Sequence, residues 1–361
     1  MTYILFAVSL LLLSMYSWGF VDPNAPFFHI TVLRTLVYQH RDISSVIYLG
    51  LLVLLFGWYL YIAKKKSIKH IMIYLGILIG VLAVSYPAFS NDIFNYIATA
   101  RVTYAYHENP YIIMPIDIVN EPMLKFLQAA NKTALYGPTW IAITAIPYLL
   151  GLGNLLITMY MMKAVAVAFY IGVTYLIWKF TKRPSAVVLF AFNPLVIIDT
   201  LVDAHNDVVM MFFALSAFYV LRRKQYVLAS VLLLVSILVK GATLFVIPVF
   251  VYAVWSGIRE NVRWENIWTL ASYSMFVVFM LSPIREEMYS WYFIWVLSFV
   301  VLRKRFDVLT VVSLAFTFGL PLRFLPFVYT GEWGGVTPVV KKIVTFIPPV
   351  VAGLGYKYAR R

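Results

Sequence analysis

The segment SSVIYLGLLVLLFGWYLYIAKKKSIKHIMIYLGILIGVLAVSYPAFSND, residues 44–92, decides the fold. Two apolar runs, 44–63 and 70–89, flank a lysine cluster at 64–69. A helix that crosses a bilayer needs about 20 apolar residues, and lysine-rich loops remain in the cytoplasm. The pattern therefore predicts two membrane spans joined on the cytoplasmic side, with Asp92 emerging on the external side.

The composition extends this prediction to the whole chain. Of its 361 residues, 63% are hydrophobic and 12% are charged, against about 45–50% and 25% in soluble domains. We therefore expect an all-α polytopic membrane protein with one integral membrane domain, 1–361.

The composition also excludes several functions. A cytosolic enzyme and a nucleic-acid-binding module are excluded. The chain has no cysteine, which excludes disulfides and thiolate catalysis, and it contains no GxxxxGK[ST] or GxGxxG motif for a nucleotide.

The apolar runs and the basic clusters together predict the topology. The apolar runs are 1–20, 44–63, 70–89, 138–152, 155–178, 184–199, 207–221, 225–240, 242–258, 265–283, 290–302, 306–323 and 338–356. Six clusters hold 18 of the 29 basic residues, and they lie at 64–69, 179–183, 222–224, 259–263, 303–305 and 357–361. The positive-inside rule places all six in the cytoplasm.

This alternation leaves room for twelve spans in the plasma membrane, with both termini in the cytoplasm. The run 1–20 lacks a basic n-region and a small-x-small cleavage site, so we interpret it as a span rather than a signal peptide. Residues 90–137 form the largest external loop. The run 138–152 is short, contains two prolines and ends in a GLG break at 151–153, so we expect a re-entrant or interfacial helix there.

The stretch SNDIFNY, residues 90–96, is the first candidate site, because it leaves a span on the external side. In a structural interpretation its polar residues cap the next helix, and the negative charge of Asp92 interacts favourably with the positive end of the helix dipole. In a catalytic interpretation Asp92 is a general base. Asn95, Tyr96 and Arg101 lie close behind it in the sequence.

Two further external stretches are rich in polar groups. Asn109-Pro110-Tyr111 predicts a turn, with tyrosines and an amide suited either to a sugar or to the membrane interface. The stretch DTLVDAHND, 199–207, has more ionisable groups than a connector needs. It is either a solvated loop or a site for an acceptor or a metal, since carboxylate oxygens bind hard cations. We expect that no cofactor is required, with a divalent cation here as the alternative.

Three basic residues lie at the predicted external ends of spans, where the positive-inside rule does not account for them. Lys240, Arg285 and Arg323 are either paired locally or bind the phosphate of a lipid-linked donor. The stretch WYFIW, 291–295, is either an interfacial aromatic belt or part of the same site.

These motifs, in this order, resemble those of GT-C glycosyltransferases that use polyprenyl-phosphate sugars, especially the bacterial α-mannosyltransferases of lipoglycan assembly. The resemblance covers roughly residues 85–300. It is carried by Asn91-Asp92 with Tyr96, Asn109-Pro110-Tyr111, Tyr136-Gly137-Pro138 with Trp140, Asn193-Pro194, His205-Asn206-Asp207, Lys240 before Pro248, and Trp291-Tyr292 with Trp295. In the family the loop with the base follows the first span, whereas here it follows the third.

The resemblance implies an external active site in which Asp92 is the base. We expect transfer of a hexose, with mannose favoured, from a polyprenyl-phosphate donor to a lipid or glycan hydroxyl by an inverting single displacement. Lys240, Arg285 and Arg323 would bind the donor phosphate. The substrate-binding candidates are Asn91, Asn95, Tyr96, Arg101, Asn109, Tyr111, Tyr136, His205, Asn206, Asp207, Trp291 and Tyr292. The alternative functions are a lipid-linked saccharide flippase or transporter, with its ionisable residues near the bilayer midplane, and a non-catalytic assembly subunit.

Overall fold

The chain folds into a bundle of helices. The computed structural model describes residues 1–284 and 287–359, and these residues contain no β-strand. Among them, seven helices are long and apolar enough to cross a bilayer. They are Thr2–Phe20, Arg41–Ala63, Leu155–Thr181, Gly241–Ile258, Trp264–Ile284, Val308–Thr330 and Thr337–Tyr358. The predicted class, an all-α polytopic membrane protein, is confirmed.

The remaining apolar runs form shorter helices. Those of 10–17 residues are Ile68–Leu82, Pro138–Leu150, Asp207–Leu221, Tyr226–Val239 and Ser290–Val300. At a rise of about 1.5 Å per residue, each is shorter than the ~30 Å hydrocarbon core of a bilayer. Pro184–Ala191 and Pro194–Val202 meet at a bend of 50° and count as at most one span. The described residues thus support seven or eight spans, and the predicted twelve are not confirmed.

Burial inside the bundle explains why the apolar runs outnumber the long helices. All eight residues of Phe293–Val300 are buried, as are ten of the fifteen in Asp207–Leu221. By contrast, only 17% of the apolar window in Thr337–Tyr358 is buried, so most of that helix faces outward. Lipid and protein core select the same apolar side chains, so composition alone does not separate an outer helix from an inner one.

The bend after Ala191 is built by Asn193 and Pro194. The Asn193 side chain accepts a hydrogen bond from the Leu195 N–H at 3.1 Å and donates one to Thr317 Oγ1 at 2.9 Å. Proline at the first helical position has no N–H to satisfy. The new helix therefore starts in a fixed direction, and it leads the chain into the buried segment 199–207.

A second break places Lys240 inside the bundle. The residue has an extended backbone between two helical segments, Tyr226–Val239 and Gly241–Val246. The Gly137 N–H donates to the Val239 carbonyl at 3.1 Å. A Cβ on Gly137 would lie 2.0 Å from the carbonyl oxygen of Leu238, so only glycine permits this close approach of the two backbones.

The predicted external segment 90–137 folds back onto the bundle. It begins with the helix Asp92–Tyr104, which packs against Pro138–Leu150. Arg101 and the buried Glu121 form an ion pair at 3.0 Å that closes the segment on itself. The helix Pro138–Leu150 packs in turn on a long neighbouring helix, and its re-entrant or interfacial position stays a prediction.

Cysteine labelling tests the orientation, because the native chain has no cysteine. We expect Asp117→Cys to react with a membrane-impermeant maleimide added outside the cell. Lys66→Cys is the matched control and should react only after the membrane is permeabilised. Both positions are exposed, so a lack of reaction reports the side of the membrane. Labelling of position 117 only after permeabilisation would contradict the topology.

Candidate active site

Asp92 is the first residue of the helix Asp92–Tyr104, which the sequence predicts to be external. Asn91 is its N-cap residue, but the Asn91 side chain makes no capping bond. The Asp92 N–H donates to Ser90 Oγ at 3.2 Å, and its carboxylate points elsewhere, toward His205. Asp92 Oδ2 lies 3.5 Å from His205 Nδ1. The carboxylate is thus directed into the protein by a specific partner.

The Asp92–His205 pair controls the protonation of both groups. Burial by itself would raise the pKa of Asp92, but contact with His205 and the charges of His205 and Lys240 outweigh burial, so this pKa is lowered. Burial would lower the pKa of His205, but Asp92 outweighs it, so that pKa is raised. The Asp92 side chain is 26% exposed, whereas that of His205 is fully buried. Asp92 is therefore an ionised carboxylate that a substrate can reach.

Aromatic rings fix the plane of the His205 imidazole. The Trp291 ring stacks on it with centroids 3.8 Å apart and an angle of 18°. Tyr289 stacks on the far face of this pair, 4.5 Å from Trp291. Trp291, which the sequence assigned either to an interfacial belt or to the site, thus lies in direct contact with the partner of Asp92.

Asp207 and Lys240 form a second ionic centre below this stack. The Lys240 ammonium lies 3.0 and 3.2 Å from the two carboxylate oxygens of Asp207, which is fully buried. Trp295 Nε1 donates to the same carboxylate at 2.6 Å. The Lys240 ammonium also lies over the Tyr292 ring, 4.5 Å from its centroid, a favourable cation–π position. Lys240 therefore neutralises a buried acid.

Amide groups and tyrosines line the inner side of the Asp92 helix. The Tyr96 hydroxyl accepts a hydrogen bond from the Asn206 N–H at 3.3 Å, and its ring packs edge-on against Tyr136 at 4.7 Å. Burial and the charge of Asp92 raise the pKa of Tyr96 well above its usual value, so this phenol stays neutral. Asn95 Oδ1 and both side-chain polar atoms of Asn206 are buried without a partner among the described residues. They retain free hydrogen-bonding capacity.

Three other predicted substrate residues hold the external segment together. Arg101 is paired with Glu121, as described above. Asn109 Oδ1 accepts a hydrogen bond from the Tyr111 N–H at 3.0 Å, and the Tyr111 hydroxyl donates to the Tyr136 carbonyl at 3.0 Å. These contacts are structural, and a role of Arg101, Asn109 and Tyr111 in substrate binding stays a prediction.

A cavity of about 380 Å³ opens beside this centre. Its lining includes Asn91 and Trp291 from the Asp92 region, and Arg323 and Lys341 from the last helices. Arg323 and Lys341 each form an ion pair with Glu287. Because two cations share one carboxylate, this part of the cavity has a positive charge in excess.

The predicted donor cations thus have different surroundings. Arg323 also donates to Thr345 Oγ1 at 2.9 Å and lines the cavity, whereas Lys240 is engaged by Asp207. Arg285 lies outside the described residues. Sequence reasoning missed Lys341, which lies within the apolar run 338–356. The signal that could have identified Lys341 is a charged residue inside a predicted span, because such residues are often functional.

The segment 199–207 also brings together groups that can hold a metal. Ligand atoms of Asp199, Asp203 and His205 lie within 4.8 Å of one another, and all three residues are buried. A buried lysine, Lys163, lies nearby and donates to the Val202 carbonyl at 2.9 Å. Sequence reasoning identified this segment but missed Lys163, which stands in the middle of a predicted span.

Comparison with known families identifies the family of the chain. The model of the MptA_B family, described as alpha-(1->6)-mannopyranosyltransferase, N-terminal domain, matches residues 4–257, which is more than two thirds of the chain. The match includes Asp92, the segment 199–207 and Lys240. It confirms the predicted resemblance to bacterial mannosyltransferases. No curated protein and no solved structure matches the chain.

Breaking the Asp207–Lys240 pair should destabilise the protein. Lys240→Met leaves the buried Asp207 carboxylate without its cation, a change that typically costs about 3–5 kcal/mol. The double variant Lys240→Met/Asp207→Asn should recover much of this loss, because asparagine still accepts from Trp295. Unfolding in mixed micelles measures the difference.

The exposed ion pair Lys224–Glu260 provides the matched control. Lys224→Met should leave the stability nearly unchanged, since exposed ion pairs contribute little. Equal stability of Lys240→Met and the native protein would show that Lys240 is not needed to neutralise Asp207.

Proposed function

The chain belongs to the alpha-(1->6)-mannopyranosyltransferase family, and on that basis we propose that it transfers mannose from a polyprenyl phosphate to a lipid or glycan hydroxyl. The observation that carries the proposal is the accessible Asp92 carboxylate, held 3.5 Å from the buried His205 beside a cavity that Arg323 and Lys341 line. The active site faces the outside of the plasma membrane. Family membership also supports a transferase over the flippase and the assembly subunit.

In this reaction Asp92 accepts the proton of the acceptor hydroxyl. The hydroxyl oxygen forms a bond with the anomeric carbon of mannose, while the bond from that carbon to the phosphate oxygen breaks. Polyprenyl phosphate leaves with the electron pair of the broken bond. A single displacement inverts the anomeric configuration. Asp92 is ionised at neutral pH before the acceptor binds, because its pKa is not raised above the ordinary range of an aspartate.

Arg323 and Lys341 bind the donor phosphate in this proposal. They provide positive charge in the cavity, and Arg323 can donate two parallel hydrogen bonds to a phosphate. Phe324, Phe327 and Trp333 line the same cavity, and their apolar rings suit the first isoprene units of the lipid. We assign Lys240 to the positioning of Asp207 instead, because it does not line the cavity and its ammonium contacts a fully buried carboxylate.

Asn95, Tyr96 and Asn206 are proposed to orient the sugars. The buried amide groups of Asn95 and Asn206 have capacity left for sugar hydroxyls, and hydrogen bonds in a water-poor site discriminate strongly between substrates. His205 is a positioning residue, since it acts through the orientation and charge of Asp92. The reaction requires no nucleotide.

Asp92→Asn separates catalysis from helix capping. Asparagine is nearly isosteric and favours helix N-termini about as well as aspartate, but it does not accept the proton. We expect a folded protein that binds the donor normally and transfers mannose about 10²–10⁴-fold more slowly. Single-turnover transfer and donor binding measure the two properties separately.

Asp117→Asn is the matched control, because Asp117 is an exposed carboxylate of the same external segment. Its turnover should equal that of the native protein. Near-normal turnover of Asp92→Asn would exclude Asp92 as the base and direct attention to Asp203 and Asp207.

Arg323→Ala and Lys341→Ala test the donor site. Loss of a charge that stabilises the leaving phosphate should lower kcat/KM for the donor by about 10- to 1000-fold. Arg323→Lys should recover only part of this loss, since lysine lacks the planar fork. Steady-state kinetics with varied donor concentration measure the effect.

Lys342→Ala is the control, because this exposed neighbour of Lys341 carries the same charge and does not line the cavity. It should retain native donor kinetics. If Arg323→Ala and Lys341→Ala also retain them, the phosphate binds elsewhere.

A further inference from the structure

Asp199, Asp203 and His205 form a buried cluster with the composition of a metal site. Their side chains come from one short stretch that bends after Val202, and the His205 N–H donates to the Asp199 carbonyl at 2.9 Å. Their exposed fractions are 3%, 1% and 0%. One ligand atom from each lies within 4.8 Å of the others, a spacing that a single central ion can bridge.

Several polar atoms of this cluster are not satisfied by the protein, although Asp203 Oδ1 accepts a hydrogen bond from the Phe89 N–H at 3.1 Å. Asp199 Oδ1 accepts a hydrogen bond from Ser290 Oγ at 2.9 Å, but Asp199 Oδ2 is buried without a partner among the described residues. His205 Nδ1 faces Asp92 Oδ2 at 3.5 Å, whereas His205 Nε2 has no partner within the same part of the chain. Buried polar atoms almost always have partners, so these atoms indicate a missing ligand.

The charges also call for a cation. Asp92, Asp199 and Asp203 bring three carboxylates close to one histidine. Lys163 is the nearest buried ammonium, but its three hydrogen bonds go to neutral oxygens, which are Ser85 O at 2.7 Å, Ser85 Oγ at 2.8 Å and Val202 O at 2.9 Å. The Asp207 charge is balanced separately by Lys240. Buried carboxylates without enough positive charge are costly, and a divalent ion supplies that charge.

The ligand set selects the class of ion. Two carboxylate oxygens and one imidazole nitrogen suit first-row ions such as Mn²⁺ and Zn²⁺, whereas Mg²⁺ and Ca²⁺ prefer oxygen ligands alone. Metal-bound histidines usually place their second nitrogen near a carboxylate, which fixes the ring. Asp92 stands in that relation to His205 Nδ1. An ion can reach the cluster because Asp199 and Ser290 line the cavity.

We propose that Asp199, Asp203 and His205 bind one divalent transition-metal ion at the inner wall of the cavity. The ion holds His205 in the orientation that places Asp92 and balances the buried carboxylates. This inference rests on the proposed function only where it assigns the ion an effect on the position of Asp92. The binding itself is measured without turnover, so failure of the metal site and failure of the transferase mechanism give different results.

Electron paramagnetic resonance of Mn²⁺ provides the test. The full-length protein in detergent is stripped with a chelator, desalted and titrated with Mn²⁺, whose free ion gives a six-line signal. We expect the native protein to suppress the signal of one equivalent, and Zn²⁺ to restore it by competition. Asp199→Asn and Asp203→Asn should weaken binding by at least about tenfold. Asp22→Asn, which changes another carboxylate in the cavity wall, should bind like the native protein.

A native protein that leaves the Mn²⁺ signal unchanged would overturn the metal site, whatever its transfer activity. Native-like binding by Asp199→Asn and Asp203→Asn would overturn it as well, by locating the ion elsewhere. One bound equivalent that is lost in both variants supports the site, even if Asp92→Asn proves fully active and the proposed base is wrong.

Discussion

The contact between His205 and Asp92 is the interaction on which the site depends. The imidazole is fully buried, and a buried ionisable ring is stable only with partners around it. Asp92 contacts it from the start of the helix Asp92–Tyr104, and Trp291 contacts it from the start of a short inner helix. Asp207, two residues after His205 in the sequence, pairs with Lys240. One short segment thereby joins three distant parts of the chain, and its charges determine where each of them lies.

Breaks in the helices make this convergence compatible with an apolar bundle. The bend at Asn193-Pro194 leads the chain into the buried segment 199–207, and the extended backbone at Lys240 directs an ammonium toward Asp207. Gly137 lets the external segment approach this second break closely. Irregular backbone is tolerated at membrane depth where protein covers it or a cavity borders it. The fold thus gathers Asp92, His205, Asp207 and Lys240 next to a cavity with charged and aromatic walls.

Much of this architecture could be predicted from the sequence. Each predicted apolar run contains a helix in the structure, and the family resemblance, drawn from motifs such as Asn91-Asp92 and His205-Asn206-Asp207, is confirmed. The number of spans could not be predicted, because inner helices such as Phe293–Val300 are as apolar as those that face lipid. Lys163 and Lys341 were missed because single charges inside apolar runs do not change the periodicity. Their partners come from distant parts of the chain, which local patterns do not show.

We propose a transferase that uses a lipid-linked donor and a single displacement assisted by the Asp92 carboxylate. The most direct measurement incubates the purified native protein with an acceptor glycan and either polyprenyl-phosphate mannose or a nucleotide-activated mannose, and determines the anomeric configuration of the product by nuclear magnetic resonance. The account predicts transfer only from the polyprenyl phosphate, with release of polyprenyl phosphate and an anomeric configuration opposite to that of the donor. Transfer from the nucleotide sugar, or a product that retains the configuration of the donor, would contradict it.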